Sequence, residues 1–253
     1  MSSLTYLRRT VLAAAALSTG LQASAVELRL VGGETSFYCF PSAPGSSDRP
    51  SGLACELMAE MAKRTGHTGA IQLYPLARAL MVAGTTPGVL VAPVARIAAR
   101  EKQYQWQVPL LDEDFVVVAS KDSTVDISSV EAVRKLSLGV VRDGVGARLA
   151  QELGFEHISL VAHDDINARK LGAGRVDAWL SSWNGILQAQ RNTGLDPAKL
   201  RRGAVLSRTT IYMASAPGLD PALLADWRAA LDAMKRDGSY DRLLKKYQYE
   251  LPK

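Results

Sequence analysis

Short apolar runs of strand length alternate with helix-period stretches through this chain, and the alternation breaks and restarts once, near Ser120. That order constrains the fold more than any other feature. Strands alternating with helices form parallel sheets covered by helices, because each helix carries the chain back across a sheet face. In the first series, Glu27–Val31, Ile71–Leu73 and Val89–Val91 read as strands. The helices between them start at Ser51, a plausible N-cap, and at Pro75. A Gly/Pro/Ser-rich loop covers Gly32 to Pro50. A long strand is predicted at Asp114–Ser120, and the pattern then begins again. Helices are expected over Ser129–Lys135, Val145–Leu153 and Asp165–Leu171, with strands at Leu138–Val141, Ile158–Val161 and Val176–Leu180. A late strand at Thr210–Ala214 and helices over Leu223–Met234 and Tyr240–Tyr247 close the chain.

The restart predicts two α/β lobes. With the late strand and terminal helices rejoining the first lobe, the chain crosses twice, which makes a two-strand hinge. The expected organisation is lobe 1 over 26–118 and 212–253 and lobe 2 over 119–211. One continuous α/β domain is the alternative that periodicity leaves open. Ligands of such folds sit at the strand carboxyl ends, in the crevice between lobes.

The N-terminus reads as an export signal. Arg8 and Arg9 precede the apolar stretch Val11–Leu17, and Ala23-Ser24-Ala25 is a cleavage signature. The apolar run is too short to span a bilayer, which takes about 20 residues. Residues 1–25 are therefore expected to be removed, leaving a periplasmic protein. Cys39 and Cys55, the only cysteines, predict a disulfide in that compartment. Two buried free thiols are the alternative, since sequence gives no Cα separation. The 30 basic side chains exceed the 25 acidic ones by five, and Arg8 and Arg9 supply two of that excess. No dense basic run with interleaved aromatics occurs, so nucleic acid is not an expected partner. No metal-ligand spacing, nucleophile elbow or dinucleotide fingerprint is present; the G-x-G-x-x-G pattern at Gly144 fails at Leu149. No cofactor is expected.

Several segments are similar, in order and spacing, to one family. They include Arg49-Pro50-Ser51-Gly52-Leu53, Tyr74-Pro75-Leu76-Ala77-Arg78-Ala79-Leu80 and Pro93-Val94-Ala95-Arg96-Ile97-Ala98-Ala99-Arg100-Glu101. Leu138–Asp143, Leu171–Trp179 and Met234–Tyr240 continue the series. Over nearly the whole mature chain the sequence resembles the family 3 periplasmic solute-binding proteins, the polar amino-acid binding components of ABC transporters. The resemblance implies a type II bilobal fold that closes on its ligand, a small-molecule anionic ligand, an ABC transporter permease as partner and a monomeric state.

The resemblance also implies site residues. Arg100 takes the position that grips the ligand carboxylate, a task suited to a planar guanidinium. Arg96, four residues earlier, either binds ligand too or pairs with an acid such as Asp112 or Glu113. Glu34 and Phe37 fall where relatives place an acid and a ring against the ligand, and Tyr38 adds aromatic surface nearby. Arg78 belongs to the pattern of one branch, though a solvated helix arginine explains it as well. Arg142, Asp143 and Gly144 lead into a helix whose first N–H groups can take an anion. Trp183 either walls the cleft or packs. Two departures weaken an α-amino-acid reading. Pro93, Ala95 and Ile97 stand where relatives have hydroxyls, and Ser181-Ser182-Trp183 stands where they often carry an Asp for the amino group. An ammonium in a dry site needs an acidic partner, and Glu34 is the candidate left. The competing class is an enzyme, since some proteins of this bilobal fold are dehydratases; a sensory partner of a membrane receptor is the third.

Overall fold

The computed structural model describes residues 28–43 and 49–253. The expected export signal lies outside the described residues. The elements are β1 (Arg29–Glu34), α1 (Leu53–Arg64), β2 (Ile71–Pro75), α2 (Leu76–Thr85), β3 (Val89–Ala95) and β4 (Gln105–Ser120). There follow α3 (Val130–Val133), β5 (Ser137–Val141), α4 (Val145–Glu152), β6 (His157–Val161), α5 (Asp164–Gly172), β7 (Ala178–Ser182) and α6 (Trp183–Asn192). The chain ends with β8 (Leu200–Ser215), α7 (Ala225–Arg236) and α8 (Ser239–Lys246). No helix of the described residues is long and apolar enough to cross a membrane.

The strands join in the order β2-β1-β3-β8-β4-β7-β5-β6. β1 pairs in parallel with β2 and β3, and β5 in parallel with β6 and β7. Each is the parallel unit that strand–helix alternation predicts. Joining them are β4 and β8, two antiparallel strands of 16 residues each. The end of β8 pairs with β3, and Phe115–Val118 of β4 pairs with β7. These two long strands thus belong to both units and carry the chain between them.

β3 is buried along its whole length, as the unbroken run Val-Leu-Val-Ala-Pro-Val-Ala requires. α1 buries Leu53, Leu57, Met58 and Met61 on one face, and Trp227, Leu231 and Met234 of α7 share that core. The C-terminal helices thus return to the first unit. Three features were absent from the sequence reading. β4 starts at Gln105 and β8 at Leu200, because register shifts break the apolar alternation in both. α6 forms from Trp183-Asn184-Gly185-Ile186-Leu187, whose Gly and Asn mask its apolar face.

Candidate ligand-binding site

A cavity of about 80 Å³ lies where the two units meet, beside the β4–β8 crossing. That is room for several waters or a small organic molecule. Phe115 of β4 and Ile211 of β8 form its floor, and Phe37, Tyr38, Leu76 and Leu180 add apolar wall. The Thr35–Tyr38 turn is held in place from two sides. Thr35 bridges to Cys39, and Cys39 is bonded to Cys55 of α1 with the Cα atoms 5.2 Å apart. The disulfide expected from sequence is therefore present, and it ties a cavity wall to the first core.

Arg100 projects into this cavity from a 3-10 turn at Ala98–Arg100 that follows β3. It is 3% exposed. Its guanidinium forms no hydrogen bond or ion pair with any described residue, and Nη2 is fully shielded without a partner. Burial, with the nearby Arg148 cation second, lowers its pKa to about 10. At neutral pH it is still a cation. A buried cation without a counter-ion is costly to hold, and an anion beside it would relieve that cost. Thr35 Oγ1, also in the cavity wall, is buried and unpartnered as well.

Opposite Arg100, Gly144, Val145 and Gly146 present the start of α4 to the same space. The first N–H groups of a helix have no intrahelical acceptor and suit an anion. Gly146 makes this approach possible, because a Cβ there would lie 2.7 Å from the Leu180 carbonyl oxygen of β7.

Asp164, the first residue of α5, is the one acidic side chain lining the cavity among the described residues. Trp179 Nε1 donates to its Oδ1 at 3.0 Å, and Ser181 Oγ donates to its Oδ2 at 3.0 Å. Burial raises its pKa to about 6 against the lowering effect of these bonds. Beneath the cavity, Glu113 of β4 accepts from the Tyr38 hydroxyl, from Asn184 Nδ2 at 3.0 Å and from the Asp114 amide. Tyr38 comes from the first unit and Asn184 from α6 of the second, so Glu113 binds both units to the crossing. Burial pushes Glu113 up to about 7. No group of three or more acidic, His or Cys side chains with metal-holding geometry occurs among the described residues.

Comparison with known proteins fixes the family. Residues 30–250 match the model of the bacterial extracellular solute-binding proteins, family 3. The chain belongs to that family. No curated protein matches it closely enough to count. Among solved structures, this family 3 protein is similar to a histidine kinase sensor domain with similarity to periplasmic binding proteins. The two are 20% identical, with TM-score 0.77, over 89% of this chain and 98% of that one. A mutant ArgBP from T. maritima aligns at 20% identity and TM-score 0.74, over 88% and 96%. An ancestral amino-acid-binding protein, a precursor of cyclohexadienyl dehydratase, aligns at 20% and 0.70, over 87% and 94%. The fold of the family 3 protein is accordingly the bilobal type II periplasmic-binding-protein fold with a two-strand hinge, and β4 and β8 are that hinge.

Of the residues singled out from sequence, Arg100, Phe37, Tyr38 and Gly144 line the cavity. The others lie elsewhere. Arg96 turns away, pairs with Glu101 at 2.6 Å, and lies over the Trp106 and Tyr212 rings. Neither Asp112 nor Glu113 is its partner; Thr210 donates to Asp112 and Tyr38 to Glu113. A 3-10 turn of three residues, in place of a full helical turn, separates Arg96 from the face of Arg100. Arg78 stacks on the Tyr74 ring, 4.5 Å from its centroid. Arg142 and Asp143 are exposed in the turn before α4, where Asp143 has φ 59. Trp183 donates to Glu250 at 2.7 Å, with Arg202 over its ring. Glu34 lines a different, more open pocket of about 330 Å³ with Thr35, Ser36 and His163. Asp164 and Arg148 escaped sequence reading, because each looks like an ordinary solvated helix residue.

Proposed function

We propose that the protein captures a small carboxylate-bearing solute, a polar amino acid or related organic anion, in the periplasm and delivers it to an ABC transporter permease. The observation that carries this reading is Arg100, a buried guanidinium without a partner in a cavity that also receives the start of α4. A carboxylate placed between them meets a forked cation on one side and free N–H groups on the other. Asp164 offers an ammonium the acid that the sequence lacks near Ser182, so an amino acid fits as well as a simple carboxylate. Residues 26–118 with 212–253 would act as one lobe and 119–211 as the other, hinging on β4 and β8. The reading is of a binder that works as a monomer, without a cofactor and without chemistry on its ligand.

Native mass spectrometry of the purified protein, followed by release and identification of the co-purified solute, tests the ligand class. A cationic or purely apolar solute would overturn the reading. Arg100→Gln should weaken that solute about 100-fold or more in calorimetry, as loss of a charge-assisted pair implies. Unchanged affinity would remove Arg100 from the site.

A further inference from the structure

Arg148 is a second cation close to this site, although its side chain does not line the cavity. It lies on α4 four residues after Gly144, and its backbone N–H donates to the Gly144 carbonyl at 3.3 Å. Residues i and i+4 share a helix face, so Arg148 stands one turn behind the cavity-lining start of α4. Its Nε is buried and unpartnered. Its side chain forms no hydrogen bond or ion pair with any described residue. Arg148 is close enough to Arg100 for its charge to oppose protonation there, and both cations act on Tyr104 in the same way. Tyr104 follows the Arg100 turn in the first unit, whereas Arg148 belongs to the second. One unpartnered guanidinium from each unit therefore lies near the cleft, Arg100 lining the cavity and Arg148 behind the start of α4. Like charges brought together by closure cost free energy unless an anion comes between them.

Charge balance identifies the anion. Arg100 and Arg148 carry two positive charges, and Asp164 at the same cavity carries one negative. A neutral zwitterion leaves one positive charge unmatched, and a ligand with a basic side chain leaves two. A ligand with two carboxylates and one ammonium matches all three. Resting on the carboxylate reading above, we infer that the solute is an acidic amino acid, with Arg100 and Arg148 sharing its two carboxylates and Asp164 facing its ammonium. Arg148 then decides specificity: it separates an acidic side chain from its amide.

Calorimetry on the mature protein, freed of ligand by unfolding and refolding, tests this with L-aspartate, L-glutamate, L-asparagine, L-glutamine and L-arginine. The better acid should bind about 10- to 100-fold tighter than its own amide, the range of one charge-assisted interaction. Arg148→Gln should erase that preference by weakening the acid about 10-fold or more beyond any change for the amide, while Arg148→Lys should keep part of it. The lysine variant serves if the glutamine variant does not fold. Equal binding of acid and amide by the unaltered protein would overturn the inference. So would tightest binding of arginine, or equal weakening of acid and amide by Arg148→Gln. Amide binding that still depends on Arg100 would leave the carboxylate reading standing while the inference falls. Failure of all five ligands would overturn the inference alone, because the carboxylate reading also admits an organic anion without an amino group and is decided by the co-purified solute.

Discussion

Glu113 shows how a single buried group links the site to stability. Its carboxyl sits in the hinge with three donors around it, yet burial outweighs them and raises its pKa to about 7. The unfolded chain titrates this group near 4.3. Between those two values the folded protein binds the extra proton, so folding is favoured at the acid end. The contribution is complete below about pH 4, shrinks as pH rises, and is gone above about 7. The span corresponds to about 4 kcal/mol. Asp164, raised to about 6, acts in the same direction over a lower window. Urea unfolding at pH 5 and pH 7.5 should therefore show a fall in stability that Glu113→Gln reduces. Glutamine keeps the size of the side chain and never ionises. An unchanged difference between the two pH values would mean that the Tyr38 and Asn184 bonds hold the carboxylate as an anion throughout.

At the scale of elements, α4 and the Thr35–Tyr38 turn position the site, and each rests on one local constraint. For α4 it is Gly146. Its missing Cβ lets the helix start lie against the Leu180 carbonyl. Gly146→Ala should push α4 back from the cavity and weaken ligand about 10-fold or more, since a displaced charge-assisted contact is worth 1.5–3 kcal/mol. Retained affinity in calorimetry would show that the helix start is not a ligand contact. For the turn, the constraint is the Cys39–Cys55 bond. Closing a loop of this size stabilises by about 3 kcal/mol in the chain-entropy model. The Cys39→Ser, Cys55→Ser double variant should lose about that much in urea unfolding. The sequence showed the strand before α4, its glycines and the cysteine pair, because each leaves a local signature. It did not show the first half of β8, where Gly203 and register shifts erase the alternation. Nor did it place an acid at the cavity. Along the chain the expected position for one is occupied by Ser182, whereas the fold brings Asp164 in from α5 to bond Ser181. Arg148 was invisible for the same reason: the role proposed for it depends on what the fold brings near it, and no periodicity records that.

For the whole molecule, the proposed function has the consequence that ligand and closure are coupled. The cleft buries Arg100 without a partner, so on that reading the unliganded protein is penalised in the form that grips the ligand. A ligand shifts such an equilibrium only by its differential affinity for the two forms, and the unmatched charge supplies that difference. The empty protein should spend more time open, with a radius of gyration that falls when ligand is added; small-angle scattering measures this directly. Unfolding should respond too. At a free ligand concentration 100 times Kd, linkage adds about 2.7 kcal/mol to the folded state. For a chain of this size, a gain of that order raises Tm by about 5–10 °C. Arg100→Gln, weakened about 100-fold, would be at most about half occupied at that ligand concentration, so it should lose most of the thermal shift and at least about half of the compaction while leaving the unliganded Tm the same or higher, because the variant no longer buries an uncompensated cation. A lower Tm for the ligand-free variant would show that Arg100 contributes to the fold itself, and the coupling between charge and closure would have to be sought elsewhere.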